Sequence, residues 1–125
     1  MALTAIDEDP SSGPRAYCDA LQFVSPKAGD ELSKDDEIEV VWTNGNIKLF
    51  NGVNSLDLYN NATGEFVNRL WKGSQLFDEY GIASVKVTLE VPENTKLPAK
   101  FMFKSFGSFM ETTCTSFGGN FTIKE

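Results

Sequence analysis

The chain has 125 residues, with 11 Lys and Arg against 18 Asp and Glu and no His, for a net charge of −7. That length suits one domain with a real core, and 41% apolar with 23% charged residues excludes wholesale disorder. No apolar run approaches the ~20 residues of a membrane span. The absence of His removes imidazole catalysis and imidazole metal ligation, and the acidity disfavours nucleic acid, whose backbone selects a basic footprint.

The acidity is uneven. Residues 1–40 hold ten acids and three bases, whereas residues 41–125 hold eight of each. A solvated, solubilising end is the plain reading. The sharper reading is a calcium site made of Asp30, Asp35 and Asp36, although their spacing does not follow the alternating ligands of an EF-hand loop. No metal and no cofactor is expected.

In chain order, residues 1–17 contain Asp-Glu-Asp-Pro-Ser-Ser-Gly-Pro and are expected to form a flexible N-terminal arm, leaving 18–125 as a single domain. Short apolar segments separated by turn residues follow. Leu21–Val24 stops at Ser25-Pro26. Ile38–Trp42 alternates, is rich in β-branched residues and stops at Asn44-Gly45. Ile47–Phe50 is expected to be a short strand. Leu56–Tyr59 and Phe66–Trp71 flank Asn60-Asn61-Ala62-Thr63-Gly64 as a hairpin. Ser74–Tyr80 suggests one helical turn. Ser84–Val91 has the clearest period of two, with Val85, Val87, Leu89 and Val91 on one side and Ser84, Lys86, Thr88 and Glu90 on the other. Lys100–Lys104 and Phe121–Ile123 complete the set. Seven or eight short strands with frequent turns predict an all-β, antiparallel β-sandwich of immunoglobulin or fibronectin III size.

Cys18 and Cys114 form no close-spaced redox or zinc motif. In a cytosolic protein they would be free thiols. In a secreted one they would form a disulfide worth up to ~4–5 kcal/mol in the chain-entropy model, joining the arm to a loop before the last strand. Two glycosylation sequons, Asn61-Ala62-Thr63 and Asn120-Phe121-Thr122, point to secretion. Met1-Ala2-Leu3 lacks the basic start and apolar run of a signal peptide, which fits a mature form with an added Met1 or, if the cysteines are free, a cytosolic protein.

Paired carboxylates are the catalytic chemistry this composition most easily allows, with Asp57, Glu65, Asp78, Glu79, Glu90 and Glu93 as candidates. A small sandwich offers little surface for a cleft between two acids, and isolated acids on strands are usually solvated. Aromatic residues are more informative. Six phenylalanines fall within Phe101–Phe121. Phe101, Phe103 and Phe121 suit the core. Phe106, Phe109 and Met110 lie among Ser105, Gly107 and Ser108, a loop-like setting that would expose an apolar contact patch. Trp42 ends an apolar strand and suits the core. Trp71 is the better candidate for a sugar-stacking platform, with Tyr59 or Tyr80.

Several short motifs resemble the KRE/KNH-type domain of Ser/Thr-rich, GPI-anchored fungal cell-wall proteins. They are Phe23-Val-Ser-Pro26 with Gly29 and Asp30, Ile38–Trp42, Leu56–Tyr59, Val91-Pro92 with Leu97-Pro98, and Asn120–Ile123, together covering about 21–124. Leu89 stands where the family carries an aromatic, the turn over Glu93–Lys96 is stretched, and the Ser/Thr-rich anchor tail is absent. The resemblance implies a secreted fungal protein, extracellular or in the cell wall, and supplies no catalytic residue. The expected function is non-enzymatic binding of a cell-wall polysaccharide, glucan among them, through Trp71, Tyr59, Phe106 and Phe109. The alternatives are an effector or elicitor recognising a plant host protein or other component, and a small carboxylate-based glycan-active enzyme.

Overall fold

The computed structural model describes residues 18–47, 49–110 and 112–125. The arm expected at 1–17 lies outside them. Nine strands follow in order: β1 (Gln22–Ser25), β2 (Glu31–Ser33), β3 (Glu37–Thr43), β4 (Phe50–Asn60), β5 (Phe66–Leu76), β6 (Ile82–Thr88), β7 (Ala99–Phe109), β8 (Thr112–Phe117) and β9 (Phe121–Lys124). A small sheet orders β1-β3-β6, and a large one orders β2-β9-β7-β4-β5 with β8 also beside β7. The result is an all-β sandwich of two sheets. Among the described residues no helix is long and apolar enough to cross a membrane.

Alternation builds the small sheet. In β3, Ile38, Val40 and Trp42 point inward while Glu37 and Glu39 face solvent. Their partners on β6 are Val87, Val85 and Ala83, so the smallest side chain stands opposite the indole. Trp42 is fully buried, and its Nε1 donates across the sandwich to Ser105 Oγ of β7 at 3.1 Å. A buried indole N–H without an acceptor would cost about 1–3 kcal/mol, so this bond fixes what β7 presents inward.

The inward series of β7 is Phe101, Phe103, Ser105, Gly107 and Phe109, all buried. Gly107 is required by close approach, because a Cβ there would stand 2.8 Å from Leu21 Cδ2 and 3.0 Å from Phe50 Cε1. Along the other flank of β7, β9 pairs with Ala99–Phe101 and β8 with Lys104–Phe109. The break between them falls at Gly118, whose N–H donates to Phe103 O at 2.7 Å.

Cys18 and Cys114 form a disulfide with a Cα–Cα distance of 5.2 Å and a sequence separation of 96. It fastens the segment before β1 to β8, where Ser116 Oγ also donates to Leu21 O at 2.7 Å.

Five expectations are corrected. Ile47 and Leu49 lie in a turn, and the strand begins only at Phe50. Residues 74–76 continue β5, and the next turn is organised by Asp78, whose Oδ1 accepts from the N–H of Tyr80 and of Ile82. Residues 105–109 are strand, not loop. Cys114 also lies on a strand, β8, rather than in a loop. The described residues form nine strands, and one pairing, β2 with β9, is parallel.

The bridge closes a long loop, so reducing and alkylating it lowers the unfolding free energy by about 2–5 kcal/mol. Urea titrations of the oxidised and reduced forms measure this, and coincident midpoints would remove the bridge as a stabilising element.

Candidate functional site

The parity set by Ser105 turns Lys100, Met102, Lys104, Phe106 and Ser108 to the outer face of the large sheet. Antiparallel register aligns them with neighbours in rows. One row runs Phe66, Tyr59, Met102 across β5, β4 and β7. The next runs Arg69, Asp57, Lys104, Phe117 and reaches β8. Phe106 opposite Thr115 begins a third.

Rings and cations on this face touch one another. Tyr59 and Phe66 meet edge to face with centroids 5.8 Å apart. The Lys104 ammonium lies 5.0 Å from the Phe106 centroid, 5.5 Å from Tyr59 and 5.9 Å from Phe117. Phe66 and Phe117 are 55% and 57% exposed, whereas Tyr59 and Phe106 are half-buried. The surface is therefore a contiguous aromatic strip over four strands with an ammonium at its centre.

Asp57 is buried on the same face and is held by Arg69 through two bonds, Nε to Oδ1 at 2.7 Å and Nη2 to Oδ2 at 3.1 Å. The hydrogen bond and then the charge of Asp57 raise the Arg69 pKa above its usual value, so the guanidinium stays charged. Ser55 is buried opposite Lys72, and its Oγ has no hydrogen-bond partner among the described residues.

Of the residues singled out in the sequence, Tyr59 and Phe106 are brought together here through Lys104. Trp71 is not with them: it turns inward and packs 6.3 Å from Trp42. Phe109 is also corrected, being 4% exposed and packed edge-on against Phe50 at 5.5 Å. Tyr80 is exposed in the β5–β6 turn. Phe66, Phe117, Lys104 and Arg69 were missed. The available signal was the period of two from Lys100 onward, carried past Ser105.

The acidic residues proposed for calcium are split between two turns. Asp30 accepts from Lys27 N–H in the β1–β2 turn, and Asp35 and Asp36 lie between β2 and β3. Among the described residues, no group of three or more His, Cys, Asp or Glu is placed to hold a metal. Asn61 is half-buried in the β4–β5 turn, and Asn120 is exposed between β8 and β9. At one end of the sandwich an open cleft of about 740 Å³ is lined by Asn44, Asn54, Phe77, Asp78, Glu79 and Ser108, among others. Much of its polar lining is internally engaged: Asn44 bonds Ile47 O, Phe50 O and Asn46 N–H, and Ser108 Oγ donates to Asn54 Oδ1.

No family model and no curated protein sequence matches the chain. Solved structures similar to it include the fibronectin(III)-like modules of Clostridium thermocellum CbhA, at 15% identity, over 83% of this chain and 94% of that one, with a TM-score of 0.48. A family 123 glycoside hydrolase of Clostridium perfringens, studied for glycolipid glycan hydrolysis, is similar at 15% identity and a TM-score of 0.39, over 78% of this chain and 22% of the hydrolase. An uncharacterized protein from Bacillus anthracis str. Ames is similar over the full length of both chains, at 12% identity and a TM-score of 0.39.

The two faces of the large sheet predict opposite mutational costs, at Phe109 on β7 and Phe117 on β8. Phe109→Ala opens a core cavity and destabilises by about 3–5 kcal/mol, whereas Phe117→Ala on the outer face costs under about 1 kcal/mol. Equal losses in chemical denaturation would contradict this placement.

Proposed function

We propose that the chain is a non-enzymatic, secreted binding protein of the fungal cell wall or apoplast, whose outer sheet face takes a polysaccharide. The observation that carries the reading is the strip of Phe66, Tyr59, Phe106 and Phe117 around Lys104 on a surface built from strands. Sugar rings present C–H faces that stack on aromatic rings, while their hydroxyls take hydrogen bonds from polar side chains. Side chains on paired strands hold their positions before a ligand arrives, which reduces the ordering cost of binding. The disulfide and the sequons at Asn61 and Asn120 support an oxidising, extracellular setting. The motif resemblance to KRE/KNH-type domains supports the wall.

The contact set changes from the one expected in the sequence. Tyr59 and Phe106 stay, Phe66 and Phe117 join them, and the inward-facing Trp71 and Phe109 become supports of the sheet.

Depletion of the purified protein by insoluble β-1,3-glucan, β-1,6-glucan, chitin and cellulose tests this function, with supernatants checked for released sugar. Selective depletion without sugar release is expected. Tyr59→Ala and Phe106→Ala, each folded by circular dichroism, are expected to weaken it by about tenfold, the equivalent of 1.4 kcal/mol. Sugar release that vanishes on substitution of one acid would replace binding with catalysis. Failure to deplete from any polymer would remove these wall polysaccharides as ligands.

A further inference from the structure

We infer that the polysaccharide taken by the outer sheet face is anionic, with carboxylates along the chain as in a polyuronate. The inference rests on the glycan-binding reading above and adds its ligand class.

Charge is distributed against the average of the molecule. The protein carries −7 overall. On the outward positions of β4, β5, β7 and β8, however, stand four cations, Arg69, Lys72, Lys100 and Lys104, against the single carboxylate of Asp57. Asp57 is buried and both its oxygens are engaged by Arg69, so it presents little free charge to a ligand. Among the described residues no carboxylate lies within ion-pair distance of Lys72, Lys100 or Lys104. At the far edge of the sheet, Lys124 and Glu31 approach within 3.8 Å and offset one another. Glu65 lies in the β4–β5 turn beside Phe66, and other acids of the folded part lie away from this face, Glu37 and Glu39 on the outer face of the small sheet and Asp30, Asp35 and Asp36 in turns.

Arg69 is neutralised by Asp57, but Lys72, Lys100 and Lys104 have no carboxylate partner among the described residues, and unpaired cations gathered on one face of an acidic protein are arranged for an anion. Rings between those cations require that the anion bring apolar faces with it, and a uronate residue joins a carboxylate to a sugar ring. An extended chain with a carboxylate on each sugar sets one against Lys104 and lays rings on Tyr59 and Phe106 beside it, with Lys72 and Lys100 on the same face for further carboxylates.

Two other polyanions have aromatic chemistry in common with this ligand. A lipid surface would bury the rings in acyl chains, and Lys104, central among them, would be desolvated without a partner. Single-stranded nucleic acid also stacks on rings along a basic groove, but the disulfide suits an oxidising compartment rather than the cytosol or nucleus.

Titration calorimetry with soluble polygalacturonate, its fully methyl-esterified form and a soluble β-1,3-glucan tests the inference, at low and at tenfold higher salt. Polygalacturonate is expected to bind at least about tenfold more tightly than the other two and to weaken by about tenfold or more with the salt increase, because ion contacts are screened. The variant carrying Lys72→Gln, Lys100→Gln and Lys104→Gln should lose that preference by about the same factor while still giving the folded circular dichroism spectrum. Equal, salt-independent binding of all three polymers would overturn the anionic class and leave the glycan-binding face standing. Binding of none would overturn both. Tighter binding to a single-stranded oligodeoxynucleotide or to phosphatidylserine vesicles than to polygalacturonate would overturn the glycan class in favour of that polyanion.

Discussion

The hydrogen bond from Trp42 to Ser105 is the constraint on which the rest of this molecule depends. It joins the middle strand of the small sheet to the long central strand of the large one, inside the core. Once Ser105 must face inward to accept from the indole, the period of two allows no choice at the other positions of β7. Phe103 and Phe109 go to the core, and Lys104 and Phe106 go to the outer face. A slip of one residue would bury the Lys104 ammonium and leave the indole N–H unpaired, both costly in a medium that cannot replace water. The fold and the outer aromatic face are therefore two results of one parity.

The outer face is stable in spite of its exposed rings because its polar groups are arranged in rows. Asp57 is buried where Arg69 can grip it with two bonds, and Lys104 stands over three rings whose faces carry partial negative charge. The disulfide acts on the same unit from the other flank. By tying Cys18 to β8 it holds in place the strand that presents Thr115 and Phe117. Mechanical support and the exposed aromatic strip thus meet on β7 and its neighbours.

How far the sequence could be read follows from which side chains point inward. The strands β3 and β6 were legible because their inward positions are Ile38, Val40, Trp42, Val85 and Val87, the apolar residues a period-of-two pattern looks for. The second half of β7 and all of β8 were not, because the pattern there is inverted. Ser105, Gly107, Cys114 and Ser116 face the core, while Phe106 and Phe117 face out. Ser105 and Ser116 are each held inside by a specific partner, the indole of Trp42 and the carbonyl of Leu21, and those partners are 63 and 95 residues away. Gly107 resembled a loop signal but marks the close approach of Leu21 and Phe50. For the same reason Phe109 looked exposed beside small residues and is in fact core.

The sequence by itself determined the class of structure: an acidic chain without His, with alternating β-branched segments, frequent turns and two distant cysteines, has few choices other than a β-sandwich. Local periodicity carries that information because it concerns neighbours along the chain. It also marked Tyr59 and Phe106 as aromatic residues of interest. Only the tertiary structure decided which aromatics share a surface, that Trp71 and Phe109 turn inward, and that four cations gather on one face of an acidic protein. The physical reason is that rows across a sheet are set by register between strands distant in sequence, and register is decided by what the core accepts at each inward position.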